Sequence, residues 1–430
     1  MFLALLLPGS PAMSMADSSQ KDKADLQAQI ESIDRELETL ARFSLRSGIG
    51  TIGYRSPTYP DAHHKPWVKI DFGQSYVLDE IILVPALWRD TEKGFLDDGF
   101  PIAFNIYGGQ TSADTEGEVI ASYRRQKNAP HGIAPVVIPL AGIKVSWIRL
   151  EATELSRRNY DKLHSLQFSE ILAFSGHENV ALHKAVSSVE KDPTSHVHTA
   201  WKAENLVDGF MPYLMDAAQG EQSNAYLSPI GIGETPFITI DLQKQTSISG
   251  IHLHSIDQSD TVPQASPPGM GIPDQYIIEG ASSADFSDPQ SLLEINSKTI
   301  YDLAPILMWR FPETTCRFVR LTAIEPYMYT NPVGSGTRIG FAEINILTKG
   351  LSVSTGKPIL INFDHTDEHR LLNALTDGRN LYGNILPLRT WLNQLALRHQ
   401  LETRRPILAD ALNLKYLKQK QLLQLMGWVI

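Results

Sequence analysis

Trp67-Val-Lys-Ile-Asp71-Phe-Gly, followed by Leu78 and Ile81-Ile-Leu83, returns as Phe237-Ile-Thr-Ile-Asp241-Leu, followed by Ile248 and Ile251-His-Leu253, at an offset of 170. Three more blocks recur in the same order. Pro101-Ile-Ala-Phe-Asn-Ile106 matches Pro273-Asp-Gln-Tyr-Ile-Ile278. Trp147-Ile-Arg-Leu150 matches Phe318-Val-Arg-Leu321, and Phe168-Ser-Glu170-Ile matches Phe341-Ala-Glu343-Ile, all at offsets of 171–173. Ordered blocks at a near-constant offset mark a tandem duplication of one domain.

Each block is short, alternates apolar with polar residues and is bounded by Gly, Pro, Asn or Asp. That is the pattern of antiparallel strands with one buried face. Many short strands without long intervening helices predict a mainly β chain of sandwiches or barrels. The inward set is read as Trp67, Ile70, Phe104, Ile106, Trp147 and Leu150 in the first copy. Phe237, Ile240, Tyr276, Ile278, Phe318 and Leu321 are the matching set in the second.

The ordered blocks resemble the discoidin, or coagulation-factor type C, domain. The resemblance covers residues of about 46–350 and implies two tandem galactose-binding-like jelly-roll β-sandwiches with N-terminal and C-terminal helices. The second copy carries what looks like the family's opening, Asn179-Val-Ala-Leu-His-Lys184-Ala-Val-Ser-Ser188, and then Leu206-Val-Asp208-Gly209. The first copy opens with Ile52-Gly-Tyr-Arg55-Ser-Pro instead. A third opening, Gly356-Lys357-Pro358 to Leu375-Thr-Asp377-Gly378, is followed by helix-like sequence and reads as a stub. The expected organisation is a signal-like segment at 1–16, an amphipathic helix at 20–45, sandwiches at 46–176 and 177–350, an incomplete repeat or connector at 351–387, and a helical membrane-proximal segment at 388–430.

The 38 Lys+Arg against 48 Asp+Glu give a net charge of -10. That argues against a nucleic-acid partner, which needs clustered cations. One cysteine, Cys316, excludes an intrachain disulfide and a multi-Cys zinc site. Met1-Phe-Leu-Ala-Leu-Leu-Leu7 and the small residues to Ala16 resemble a secretory leader, so the chain is expected to be exported, periplasmic or at the cell surface. Leu26, Ile30, Ile33, Leu37 and Leu40 form an a/d seam, which fits either a homodimer through this helix or packing on a neighbouring domain. After residue 388 helix formers dominate, with Pro406 expected to start a second helix. Leu422-Leu-Gln-Leu-Met-Gly-Trp-Val-Ile430 resembles the opening of a membrane span, which takes about 20 apolar residues.

The family resemblance implies a structural calcium ion held by the Asp of the Asp-Gly turn and the Glu of the last strand, here Asp208 and Glu343. Glu170 matches Glu343 without an evident Asp partner. A saccharide ligand is placed on the first copy's loop Pro85-Ala-Leu-Trp88-Arg89-Asp90 through Asp97-Asp98-Gly-Phe100. Trp88 can stack on a sugar face, while Arg89, Asp90 and Asp97 hydrogen-bond hydroxyls. His365-Thr-Asp-Glu368-His369 matches an inverted zinc-protease motif but lines up with a turn, so no protease is assigned. His196/His198 and His252/His254 could each face one side of a strand, and are read as solvent-side pairs. No nucleophile elbow, P-loop or dinucleotide fingerprint occurs, so no catalysis is assigned to this chain. The arrangement also resembles the extracytoplasmic part of certain bacterial membrane sensor histidine kinases. The two functional expectations are a sensing region that binds a carbohydrate and associates with the membrane through its C-terminal end, and a secreted carbohydrate-binding accessory protein or glycoside hydrolase fragment.

Overall fold

The computed structural model describes residues 11–45, 52–90, 92, 94–111, 114, 116–125, 132–158, 161–189, 201–233, 235–256, 270–296, 304–331, 334–364 and 371–425, with backbone only at 11–19, 89–90, 331, 422–423 and 425. It has two compact units, a large one over 41–396 and a small one made of residues up to 40 and from 397 on.

The large unit holds two seven-stranded antiparallel sheets with the same strand order. In the first, the long strands Trp67–Val84 and Val136–Glu154 pair along their whole length. In the second, Phe237–His254 and Ile306–Glu325 do the same. Each long strand is broken by a bulge, after Asp71 and after Asp241. There the Asp carboxylate accepts an N–H two residues on, from Gly73 at 2.9 Å and from Gln243 at 2.7 Å. A bulge bends and twists its strand, so one hairpin serves both layers of a sandwich. Before the bulge Trp67–Val84 pairs with Ala185–Ser188; after it, the partner is Glu170–Ser175.

That pairing corrects the expected domain organisation. Ala185–Ser188 completes the first sandwich, not the second. Leu206 and Val207 lie in the first core, beside Val180 and Ala181. Ile359–Ile361 likewise pairs with Phe237–His254, and Leu375 is buried in the second core. The segment expected to be a stub is therefore the closing segment of the second sandwich. Each sandwich is closed by the chain that follows its last strand.

The two repeats share finer devices. Ser56 donates its N–H to Leu166 O and its Oγ accepts from Leu166 N–H, both at 2.9 Å; Ser228 makes the same pair with Ile339 at 2.9 and 3.0 Å. Trp147 lies opposite Gly109, where an added Cβ would come within 2.3 Å of the indole. Phe318 lies opposite Ala281, so the larger ring is matched by the smaller partner.

Strand parity corrects the inward set. Successive side chains point to opposite faces, so Trp67 and Ile70 cannot share one. Val68, Ile70 and Phe72 enter the first core with Ile148 and Leu150. Trp147 is buried on the outer face, under the Lys69 ammonium at 4.0 Å. Phe237 is half-buried beneath the Arg320 guanidinium at 4.1 Å.

A third core joins the sandwiches. Ile81, Leu83, Ile171 and Ala173 face the first core, while Ile82, Val84, Leu172 and Phe174 face Ile306 and Met308 of the second repeat. Tyr213, Met215 and Trp391 fill the same cluster. The expectation of one buried face per strand therefore fails at Ile81–Val84, where all four residues are buried.

In the small unit, α1 (Pro11–Thr39) runs antiparallel to the later part of α2 (Leu388–Leu425), with Asp34 paired to Arg405 and Asp22 to Lys415. Of the two partners expected for the seam, a second chain or a neighbouring part of this one, the structure shows the latter, since Ile33, Leu37 and Leu40 pack on Leu397, Leu401 and Leu408. Arg398 donates to the Leu37 and Leu40 carbonyls, which a helix end leaves unpaired. α1 stops at Thr39 and Arg42 begins a strand, so the helix expected over 20–45 ends before Arg42. Pro406 lies inside α2 and does not start a new helix. No described helix is long and apolar enough to cross a membrane.

The closing segments make a direct prediction. Leu206→Ala should destabilise the first sandwich and Leu375→Ala the second, each by about 2–5 kcal/mol, the usual cost of emptying a buried leucine site. Denaturant unfolding of the full chain checks this. A loss below about 1 kcal/mol for either would place that segment outside the core.

Candidate functional site

The rim of the first sandwich carries the sequence-expected ligand residues. Leu87–Asp90 pairs with Gly94–Asp97 as a hairpin, with Trp88 opposite Leu96. Trp88 keeps 37% of its surface exposed. The side chains of Arg89 and Asp90 lie outside the described residues. Asp97 is buried, and its Oδ2 accepts from Arg125 Nη2 at 2.6 Å.

The rim also holds groups that the sequence did not reveal. Gln167 Nε2 donates to Asp98 O at 2.9 Å and to Asp98 Oδ2 at 3.1 Å, and Arg55 Nε donates to Gln167 Oε1. The Arg55 guanidinium stacks on Trp201, 4.1 Å from the ring centre. Arg125 thus fixes Asp97, and Gln167, itself held by Arg55, fixes Asp98, at the end of the hairpin that carries Trp88. Position matters more than residue type here. Gln167 N–H donates to Gly99 O at 3.0 Å, and Gly340 N–H donates to Gly271 O at 2.9 Å. The second repeat therefore has Gly340 where the first has Gln167. It has Leu227, packed on Ile256 and Met270, where the first has Arg55. Comparing position 167 with 340 and 55 with 227 was the signal available in the sequence.

The second candidate is a pair of carboxylates under each Asp-Gly turn. Gly209 N–H donates to Glu170 Oε1 at 3.0 Å, and Phe210 N–H to Asp208 Oδ1 at 2.8 Å. In the second sandwich Gly378 N–H lies 3.2 Å from both oxygens of Glu343, and Arg379 N–H donates to Asp377 Oδ1 at 2.9 Å. The expected pair is corrected accordingly. Asp208 belongs with Glu170, and Glu343 belongs with Asp377, because each turn closes the sandwich that precedes it.

Burial pushes the Glu170 carboxyl well above the usual range, and the neighbouring Asp208 charge adds to this. Glu343 is pushed up to about 9, first by burial and then by Asp377. The two sites differ in compensation. Asp377 accepts from Ser223 Oγ at 2.6 Å and pairs with Arg379 at 3.5 Å. Glu170 Oε2 is buried with no hydrogen-bond donor among the described residues. An orphaned carboxylate oxygen beside a second carboxylate fits a hard cation such as calcium, which takes 6–8 oxygens. The first site fits that ion better than the second.

The histidine expectations divide. His252 is half-buried and His254 buried, not solvent-side, because they share a face with Met308 and Ile306, which lie in the third core. Burial pushes them down to about 4 and about 3, so both are neutral, and His254 Nε2 meets Asn345 Nδ2 at 3.2 Å. His196, His198, His365, Glu368 and His369 lie outside the described residues. No group of three or more metal-ligating residues occurs among the described ones.

No protein-family model matches the chain, and neither does any curated protein sequence. Solved structures do. A Clostridium perfringens carbohydrate-binding module in complex with GalNAc-β-1,3-galactose is 19% identical over 27% of this chain and 68% of its own, with a TM-score of 0.20. A striped bass (Morone saxatilis) serum fucolectin is 12% identical over 72% of this chain and 97% of its own, with a TM-score of 0.22. The first two carbohydrate-binding domains of ZmpB from Clostridium perfringens are 9% identical over 72% and 92%, with a TM-score of 0.21. These likenesses say nothing about this chain's ligand. Its own strand pairing gives a mainly β fold of two repeated seven-stranded antiparallel sheets with a C-terminal helix.

Glu343 gives a pH test whose sign is fixed. Its folded value of about 9 lies above the ordinary glutamate value of 4.5, so folding favours the protonated form. That contribution is complete below the unfolded value and is lost as pH rises toward about 9. Glu343→Gln keeps the shape and removes the proton equilibrium. Its melting temperature relative to wild type, in chelator, should rise steadily from pH 5 to pH 9. A flat difference would mean that Glu343 is ionised in the folded protein.

Proposed function

We propose that the chain is an exported, non-catalytic saccharide binder whose neutral-sugar site is the Trp88 rim of the first sandwich. One observation carries this reading: the hairpin that holds the exposed Trp88 indole runs directly into Asp97 and Asp98, which anchor the fixed polar groups Arg125, Gln167 and Arg55. A sugar ring offers an apolar face to an indole and a fixed fan of hydroxyls to carboxylate, amide and guanidinium groups. Asp97 and Asp98 are held as hydrogen-bonding groups by Arg125 and Gln167, which suits recognition and not bond cleavage. The second repeat, with Leu227 and Gly340 at the matching positions, serves as a scaffold at this rim. A carbohydrate-binding accessory protein needs nothing beyond these groups, whereas a membrane sensor needs a signalling output besides.

Glycan-array screening of the full chain, followed by calorimetric titration of the best neutral glycan, tests this. Trp88→Ala and Arg125→Ala should each weaken binding at least about tenfold, near 1.4 kcal/mol. No glycan retained, or equal affinity in both variants, would overturn the rim assignment.

We also propose that Glu170 and Asp208 hold a structural calcium ion. Such an ion supplies positive charge to two acids that otherwise compete for a proton, and ties the closing segment to the last strand. Calcium should raise the melting temperature of the full chain, as any ligand of the folded state does, and Glu170→Gln should abolish most of the rise. An unchanged melting curve with calcium and with chelator would remove the ion.

A further inference from the structure

An open cleft of about 610 Å3 lies between the two sandwiches. It falls within the usual size of small-ligand sites, about 300–1,000 Å3. Its walls come from both repeats. Tyr76, Glu178, His183 and Lys184 belong to the first, and Arg310, Glu313 and Lys349 to the second.

The charges in the cleft do not cancel locally. Arg310 is held by Glu178, with Nη2–Oε1 at 2.8 Å, and also reaches Val180 O. Glu313 accepts from Ser247 Oγ. Lys184 and Lys349 have no ion pair among the described residues. Three cations, Arg310, Lys184 and Lys349, against two carboxylates, Glu178 and Glu313, leave one positive charge in excess in this cleft, in a chain of net charge -10.

Two wall residues also hold a backbone conformation that the other repeat gives to glycine. His183 has φ 55°, and its N–H donates to Val207 O at 2.6 Å. At the matching turn Gly356, at φ 70°, donates to Thr376 O. Lys349 has φ 48° in the two-residue turn between Thr348 and Leu351. The matching position, between Ser175 and Glu178, is Gly176 at φ 61°. A left-handed conformation is costly for residues with a Cβ, and such costs gather at functional sites. The His183 ring is used: it stacks on Trp309 with ring centres 4.7 Å apart, and its Nε2 lies 2.9 Å from Met308 O. That stack sets the backbone at the mouth of the cleft, next to Lys184.

We propose that this cleft binds an acidic saccharide, a sugar ring bearing a carboxylate. Lys184 and Lys349 flank the carboxylate, while the Glu178–Arg310 pair and Tyr76 meet the hydroxyls and the ring. The site is separate from the Trp88 rim and does not depend on it. It needs both repeats, since neither supplies both lysines.

The test is calorimetric titration of the full chain with glucuronate and galacturonate, with glucose and galactose as their neutral parents, and with acetate as a carboxylate lacking the ring. At least one uronate should saturate. Its neutral parent should bind at least about tenfold more weakly, and acetate should not saturate. Added salt should weaken uronate binding, because the lysines are partly exposed and screened. Lys184→Gln and Lys349→Gly should each reduce affinity at least about tenfold. Lys349→Gly restores the glycine of the other repeat, so its melting temperature should equal or exceed that of wild type. A loss of binding there cannot come from misfolding. Trp88→Ala should leave uronate binding unchanged. Failure of any uronate to saturate, equal affinity for uronate and parent hexose, or full affinity in both lysine variants would overturn the assignment. Loss of uronate binding in Trp88→Ala with both lysine variants intact would place the ligand on the rim instead.

Discussion

The rest of the large unit depends on two strands being buried on both faces. Ile81–Val84 and the adjoining Ile171–Phe174 send alternate residues into the first sandwich core and into the third core, which they share with the second repeat. Fully burying an aliphatic or aromatic side chain contributes about 1.5–3 kcal/mol. The four residues Ile82, Val84, Leu172 and Phe174 therefore supply on the order of 6–12 kcal/mol as an upper bound. That is comparable to the whole stability of a domain. The repeats are consequently one packed body, and a site shared between them has fixed walls.

Duplication separates what the fold requires from what the site uses. Both repeats keep the Asp-capped bulge, the Ser-Pro corner and the carboxyl beneath an Asp-Gly turn. Where a large residue changes, its partner changes with it, as in Trp147 with Gly109 and Phe318 with Ala281. The rim and the cleft break this rule. Gln167 and Arg55 have no polar counterparts, and His183 and Lys349 take strained backbone positions that glycine fills elsewhere. Departures of that kind cost stability without adding to a core, which is why they mark binding surfaces.

Much of the fold was legible in the sequence because strand blocks carry their own signal. Alternation, turn residues and a constant offset together defined two sandwiches. Closure was not legible in the same way. Asn179–Ser188 resembles the opening of a following domain, yet the pairing that decides ownership is long-range, from Ser188 back to Val68. The available clue was that each Asp-Gly turn follows a Phe-x-Glu-Ile block, so turns and acids pair backward along the chain. The double burial was written in Ile81-Ile-Leu-Val84, a continuous apolar run and not an alternating one. Of the candidate sites, Trp88 and Asp97 were visible as residue types in a loop. Arg125, Gln167 and Lys349 were not, because their roles come from contacts across the fold.

The central claim is that the two repeats behave as one body through the shared core. Native-state hydrogen exchange in rising denaturant tests it most directly, read separately on Trp67–Val84 and Phe237–His254. Exchange resolves the opening of each cooperative unit. Equal opening free energies for the two strands, falling together with denaturant, are the result expected of a single body. One strand opening at markedly lower denaturant while the other stays protected would show two independent sandwiches and contradict the account.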